Sequence, residues 1–120
     1  MKLLIVDDEQ SVRNSLGEFF SDYGYETHCV ESAEEALVYL KDEQPDLMIV
    51  DMRLPLMDGN NLILEVNRIY PKMLYIIYTG SVSYKIPEEI RNAGISEEHV
   101  IHKPIKDMHL FIELINRLHP

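Results

Sequence analysis

Five residues spread along this chain carry side chains suited to acting together on a charged group: Asp7, Asp8, Asp51, Thr79 and Lys103. Each stands directly after an apolar, strand-like run. Leu3–Val6 leads into Asp7 and Asp8, Leu47–Val50 into Asp51, Leu74–Tyr78 into Thr79, and the weaker run His99–His102 into Lys103. Two adjacent carboxylates at the end of a buried strand repel each other, so something must offset them. A hard cation does so: carboxylate oxygens with water suit Mg²⁺, which binds through few carboxylates and keeps several waters, and Mn²⁺ is an alternative ion of the same class. A carboxylate beside such an ion, with an amine and a hydroxyl within reach, can attack a phosphoryl group. Asp51 is the candidate nucleophile, and the cation and Lys103 would neutralise the equatorial oxygens.

Other chemistries lack their residues. No glycine-rich loop of the dinucleotide or P-loop type is present. No Ser-His-Asp or Cys-His set is evident, and His99 and His102 lack zinc spacing and read as ordinary strand-end residues. Glu9 reads as a helix cap.

For these five side chains to meet, the elements must bring strand ends to one edge. Helix-period segments alternate with the apolar runs. Val12, Leu16, Phe19, Phe20 and Tyr23 make one helical face that stops at Gly24, and a short strand follows at Tyr25–Val30. Ser32 with Glu35 forms a capping box ahead of Ala33, Ala36, Leu37 and Leu40. Asp58-Gly59 reads as a turn, and Leu62, Ile63, Val66, Ile69 and Tyr70 as a third inner face ending at Pro71. A short helix is expected from Pro87 to about Asn92, and Asp107 caps a last one with Phe111, Leu114, Ile115 and Leu118 inside. The reading is α/β, (βα)₅: a parallel sheet covered on both faces by right-handed crossovers, with ligands expected beyond the carboxyl ends of its strands.

Composition narrows the function classes. One domain accounts for 120 residues, enough to bury roughly two-thirds of the unfolded surface. Acids outnumber Lys plus Arg by 21 to 11, and the net charge of −10 argues against direct nucleic-acid binding. Lys2 precedes only four apolar residues, too few for a signal peptide, and no stretch is long enough to span a membrane. The single Cys29 reads as a small core residue of a protein in a reducing, cytoplasmic compartment.

With LLIVDDE, DLMIVDMRLPLMDG, IIYTG and Lys103-Pro104 in this order, the chain resembles the receiver domain of response regulators in two-component signalling along essentially its whole length. The resemblance implies a flavodoxin-like, doubly wound five-stranded sheet of order 2-1-3-4-5. It implies that Asp51 is the phosphoacceptor, served by a sensor histidine kinase or a histidine phosphotransfer protein. Asp8, Asp51 and the backbone carbonyl of Arg53 would hold Mg²⁺, with Asp7 acting mainly through water. Lys103 would pair with the carboxylate and then with the phosphoryl oxygens, Thr79 would hydrogen-bond the phosphoryl group, and Pro104 would follow a cis peptide bond. The domain would be a regulatory switch rather than a turnover enzyme, catalysing only its own phosphorylation and dephosphorylation. An aspartate-nucleophile phosphatase of the haloacid-dehalogenase type needs an acid two residues after the nucleophile, where this chain has Arg53. Retention of all five site residues argues against a degenerate docking module. Residues 1–120 would form the receiver domain, with any output domain beyond residue 120. The fourth helix, fifth strand and fifth helix would form the responding face, which a homodimer could also use. One departure stands out: the family usually has an aromatic residue three positions before the lysine, and here that position is Val100.

Overall fold

Each apolar run forms a strand in the computed structural model, which describes residues 1–120. The strands are β1 (Lys2–Val6), β2 (Glu26–Val30), β3 (Leu47–Val50), β4 (Leu74–Thr79) and β5 (Val100–His102). The helices are α1 (Gln10–Tyr23), α2 (Ala33–Tyr39), α3 (Gly59–Ile69), α4 (Glu88–Asn92) and α5 (His109–Leu118). All pairings are parallel, and the order across the sheet is β2-β1-β3-β4-β5. This is the flavodoxin-like, doubly wound arrangement. The order reverses between β1 and β3, so the crevice at the carboxyl ends opens between Asp7 and Asp51.

Strand alternation divides the interior into two cores. Leu4, Val6, Met48, Val50, Tyr75 and Ile77 pack with residues of α2, α3 and α4. Leu3, Ile5, Leu47, Ile49, Ile76 and Tyr78 pack with Leu16 and Phe20 of α1 and with Phe111, Ile112, Leu114 and Ile115 of α5. β1 and β3 are buried along nearly their whole length because both faces are covered.

Several boundaries differ from the sequence reading. Ser96 and His99 cap each other across a 3₁₀ turn, Glu97–His99, so β5 starts one residue later than expected. Thr79 is the last residue of β4 rather than the first beyond it. Ile69 and Tyr23, expected on inner faces, are about half exposed, because each lies in the last turn of its helix, beyond the reach of the sheet. Asp58 does not end a turn but caps α3, accepting from the Asn61 amide at 2.9 Å. At α5 the side chain of Asp107 accepts from the His109 amide at 3.0 Å, although the residue in the cap position is Met108. Cys29 is half-buried and unpaired, and burial pushes its thiol up.

Candidate functional site

Backbone hydrogen bonds that continue just past the strands align their ends. The Asp7 amide donates to the Val30 carbonyl at 3.1 Å, and the Asp51 amide to the Val6 carbonyl at 2.9 Å, which sets Asp51 beside Asp7. The Lys103 amide donates to the Thr79 carbonyl at 2.9 Å, tying the next two residues together in the same way. The order of the sheet thus brings residues from four strand ends to one edge.

Asp7 and Asp51 are held alike. Each is almost fully buried, and each uses Oδ1 to accept from the amide two residues ahead, Glu9 at 2.9 Å and Arg53 at 3.3 Å. Each turns Oδ2 toward the Lys103 ammonium, which lies 2.8 Å from Asp7 and 3.5 Å from Asp51. The sequence reading paired Lys103 with Asp51; the ammonium instead bridges the two acids and sits nearer Asp7. Asp8 is exposed, yet its carboxylate comes within 4.8 Å of those of Asp7 and Asp51, a set of oxygens that could hold a metal ion. One acid from each of two strands, plus an exposed third, is the donor chemistry a hydrated hard cation requires.

The electrostatics follow from this packing. Burial raises the carboxyls of both Asp7 and Asp51, and for Asp51 the neighbouring Asp7 adds to it; the Lys103 charge and the backbone amides pull the other way. Burial alone would lower the Lys103 amine, but its hydrogen bond to Asp7 and the fields of Asp7, Asp51 and Glu9 outweigh it and the amine is raised. Lys103 also lies 5.6 Å from the centre of the Tyr78 ring, a cation–π distance.

Thr79 is fully buried at the same edge, with its hydroxyl accepting from the Ser81 amide at 3.3 Å. The Arg53 side chain is exposed, and its backbone lies two residues beyond Asp51 in the β3–α3 loop. The Lys103–Pro104 bond is cis. Val100 is the first residue of β5, opposite Ile77. It borders a cavity of about 410 Å³ together with Tyr84, Ile86, Arg91 and His102.

Four contributions to the site escaped the sequence reading. Glu9 takes the cap position of α1 without a side-chain cap bond; its carboxylate instead lies 3.6 Å from Lys103. Arg13 donates to the Asp7 carbonyl at 2.8 Å. The Tyr78 hydroxyl accepts from the Ile105 amide at 3.3 Å, steadying the loop after Lys103. Gly59, read only as half of a turn, begins α3 so close to the phosphoacceptor candidate that a Cβ there would lie 2.3 Å from the Asp51 carbonyl oxygen. The adjacent Asp-Gly was the available signal, but it does not say what the glycine must approach.

Residues 3–115 match the family model described as the response regulator receiver domain. The chain belongs to the response regulator receiver domains. Among curated relatives, this receiver domain is 33% identical over 93 residues to sporulation initiation phosphotransferase F of Bacillus subtilis, covering 78% of this chain and 75% of that one. It is 29% identical over 112 residues to the regulatory protein AtoC of Escherichia coli, covering 93% of this chain but only 24% of AtoC. The receiver domain spans less than half the length of several relatives it matches. Among solved structures, the response regulator TrrA of Thermotoga maritima, in complex with Mg²⁺ and BeF, superimposes with a TM-score of 0.83 at 26% identity, covering 98% of this chain and 97% of that one. The domain is therefore a regulatory module of two-component systems. None of its helices is long and apolar enough to cross a membrane.

Proposed function

We propose that this receiver domain is a phosphorylation-dependent switch whose phosphoacceptor is Asp51, served by a phosphohistidine on a sensor kinase or phosphotransfer protein. The observation that carries this reading is the Asp7–Asp8–Asp51 cluster with the Lys103 ammonium between its two buried members. In the proposed step an Asp51 carboxylate oxygen attacks phosphorus, the donor's P–N bond breaks, and the donor imidazole keeps the electron pair and takes up a proton. Asp8, Asp51 and the Arg53 carbonyl would hold Mg²⁺, with Asp7 acting through water; the bound ion supplies charge neutralisation at the phosphoryl oxygens. Lys103 neutralises a further oxygen, and no side chain other than Asp51 changes its bonds. The response regulator TrrA, a structure of similar fold solved in complex with Mg²⁺ and BeF, supports the choice of ion. Thr79, whose hydroxyl has only the Ser81 amide at 3.3 Å, is free to turn toward the phosphoryl group and bias the loop that follows β4. The response would pass to an output domain, a separate protein or a second copy through the face of α4, β5 and α5.

Acetyl phosphate with Mg²⁺ tests this directly. Intact-mass measurement should show one added phosphoryl group, lost in Asp51→Asn and on chelation of the metal. A label that survives in Asp51→Asn, mapped by peptide analysis to another carboxylate, refutes the assignment.

A further inference from the structure

The two edges of the sheet are guarded unequally. β5 is three residues long and runs directly into Lys103 and Pro104, which end pairing there. β2, at the opposite edge, is five residues long, ETHCV, with no lysine, proline or break in its register. The Glu26 amide donates to the Met1 carbonyl and the Val30 carbonyl accepts from the Asp7 amide, so residues 26, 28 and 30 bond toward β1. By the two-residue alternation of a strand, the amides and carbonyls of Thr27 and Cys29 face outward, where no further strand lies.

An apolar cleft runs along this open edge. It measures about 440 Å³ between β2 and α2 and is lined by His28, Val30, Glu34, Glu35, Val38 and Tyr39. The rings of His28 and Tyr39 stack at 4.3 Å, and Val38 is 61% exposed. Lys2 and Arg13 reach the ends of the strand, but they pair with Glu26 and Glu43 and with Glu31, which leaves Glu34 and Glu35 without a cation. The dipole of α2 favours acids in its first turn, yet it gives no reason for an exposed valine one turn further on.

We propose that the β2 edge takes an extended segment of a partner protein that presents, on one face, an apolar side chain flanked two residues away on each side by lysine or arginine. The outward groups of Thr27 and Cys29 hydrogen-bond its main chain, its apolar side chain enters the cleft beside Val38, and its cations meet Glu34 and Glu35. A second copy of this domain supplies no such cations. Its own edge carries Glu26, Glu31, Glu34 and Glu35, which would set acid against acid. The surface lies across the sheet from β5 and makes no use of Asp51.

Two capped heptapeptides of one composition test this by NMR titration of the labelled domain. Thr-Arg-Thr-Val-Thr-Lys-Thr carries its valine and both cations on one face of a strand, whereas Thr-Thr-Arg-Val-Lys-Thr-Thr turns the cations to the other face. The first should move the amide signals of Thr27 and Cys29 most, and bind about tenfold more tightly than its isomer. Val38→Ser, and separately the pair Glu34→Gln and Glu35→Gln, should each weaken that binding by about tenfold. These variants alter only exposed side chains. Equal binding of the two peptides would reduce the effect to the attraction of any cation for an acidic chain and overturn the proposal. So would signals of Thr27 and Cys29 that stay in place at millimolar peptide, or binding that neither variant weakens. Movement of the same signals with domain concentration alone would give the edge to a second copy, against the proposal.

Discussion

Asp7 and Asp51 end strands that are buried along nearly their whole length and paired on both edges, whereas Lys103 follows an edge strand of three residues that contains no fully buried side chain. The helices repeat the contrast. α1 and α3 run for 14 and 11 residues beside β1 and β3, while α4 has five residues and a single buried side chain, Ile90. On the first side, close packing reaches the candidate phosphoacceptor itself, since Gly59 lies against the Asp51 backbone. On the second side, the β4–α4 segment is joined to the rest by the Tyr84 hydroxyl, which donates to the Asn60 side chain at 2.7 Å. Burial, with the charge of Asp58 adding, pushes that hydroxyl up to about 12, so it stays a donor at any physiological pH. Beside it, Val100 and the cavity of about 410 Å³ leave room that a larger side chain would fill. Under the proposed function the difference divides the tasks: placing an attacking oxygen calls for rigid, doubly covered strands, and responding to it calls for an element of low local stability.

Gly59→Ala should disturb the rigid side most. The added methyl meets the Asp51 carbonyl oxygen at 2.3 Å and Met52 Cε at 2.5 Å, so strand, helix or both must move. Unfolding free energy from urea titration should fall by at least about 2 kcal/mol, with slower labelling by acetyl phosphate. An unchanged midpoint would show that the start of α3 yields easily and that the contrast is overstated.

Tyr84→Phe probes the looser side. Loss of the bond to Asn60 should cost about 1 kcal/mol, and amide exchange should quicken in residues 80–87 while β1 and β3 keep their protection. Exchange that quickens equally in all strands would mean the two sides open as one unit.

The smallest effect, and of opposite sign, is expected at the far end of β4. Tyr75 is buried and its hydroxyl has no hydrogen-bond partner, a desolvation cost that supports nothing else in the core. Tyr75→Phe should leave stability unchanged or raise it by up to about 1 kcal/mol. A clear drop in the melting temperature would show that the hydroxyl is engaged after all and that β4 is anchored at both ends.

The amino-acid sequence by itself determined the alternation of strands and helices and the presence of three acids, a hydroxyl and an amine at strand ends. Those features are local: apolar periodicity of two or 3.6 is written in consecutive residues, and the residue that follows a strand follows it in the chain. Family motifs then placed the strand order, which periodicity alone does not supply. Only the tertiary structure decided that Asp7 is buried while adjacent Asp8 is exposed, that Lys103 lies nearer Asp7 than Asp51, and that Glu9, in the cap position of α1, turns its carboxylate toward Lys103. It also decided that Gly59 is needed for close approach and that Leu56 takes a left-handed backbone with its side chain in solvent. In each case the outcome depends on groups far away in sequence that meet at one edge of the sheet, where distance and burial set the balance of charge, and no local pattern encodes either.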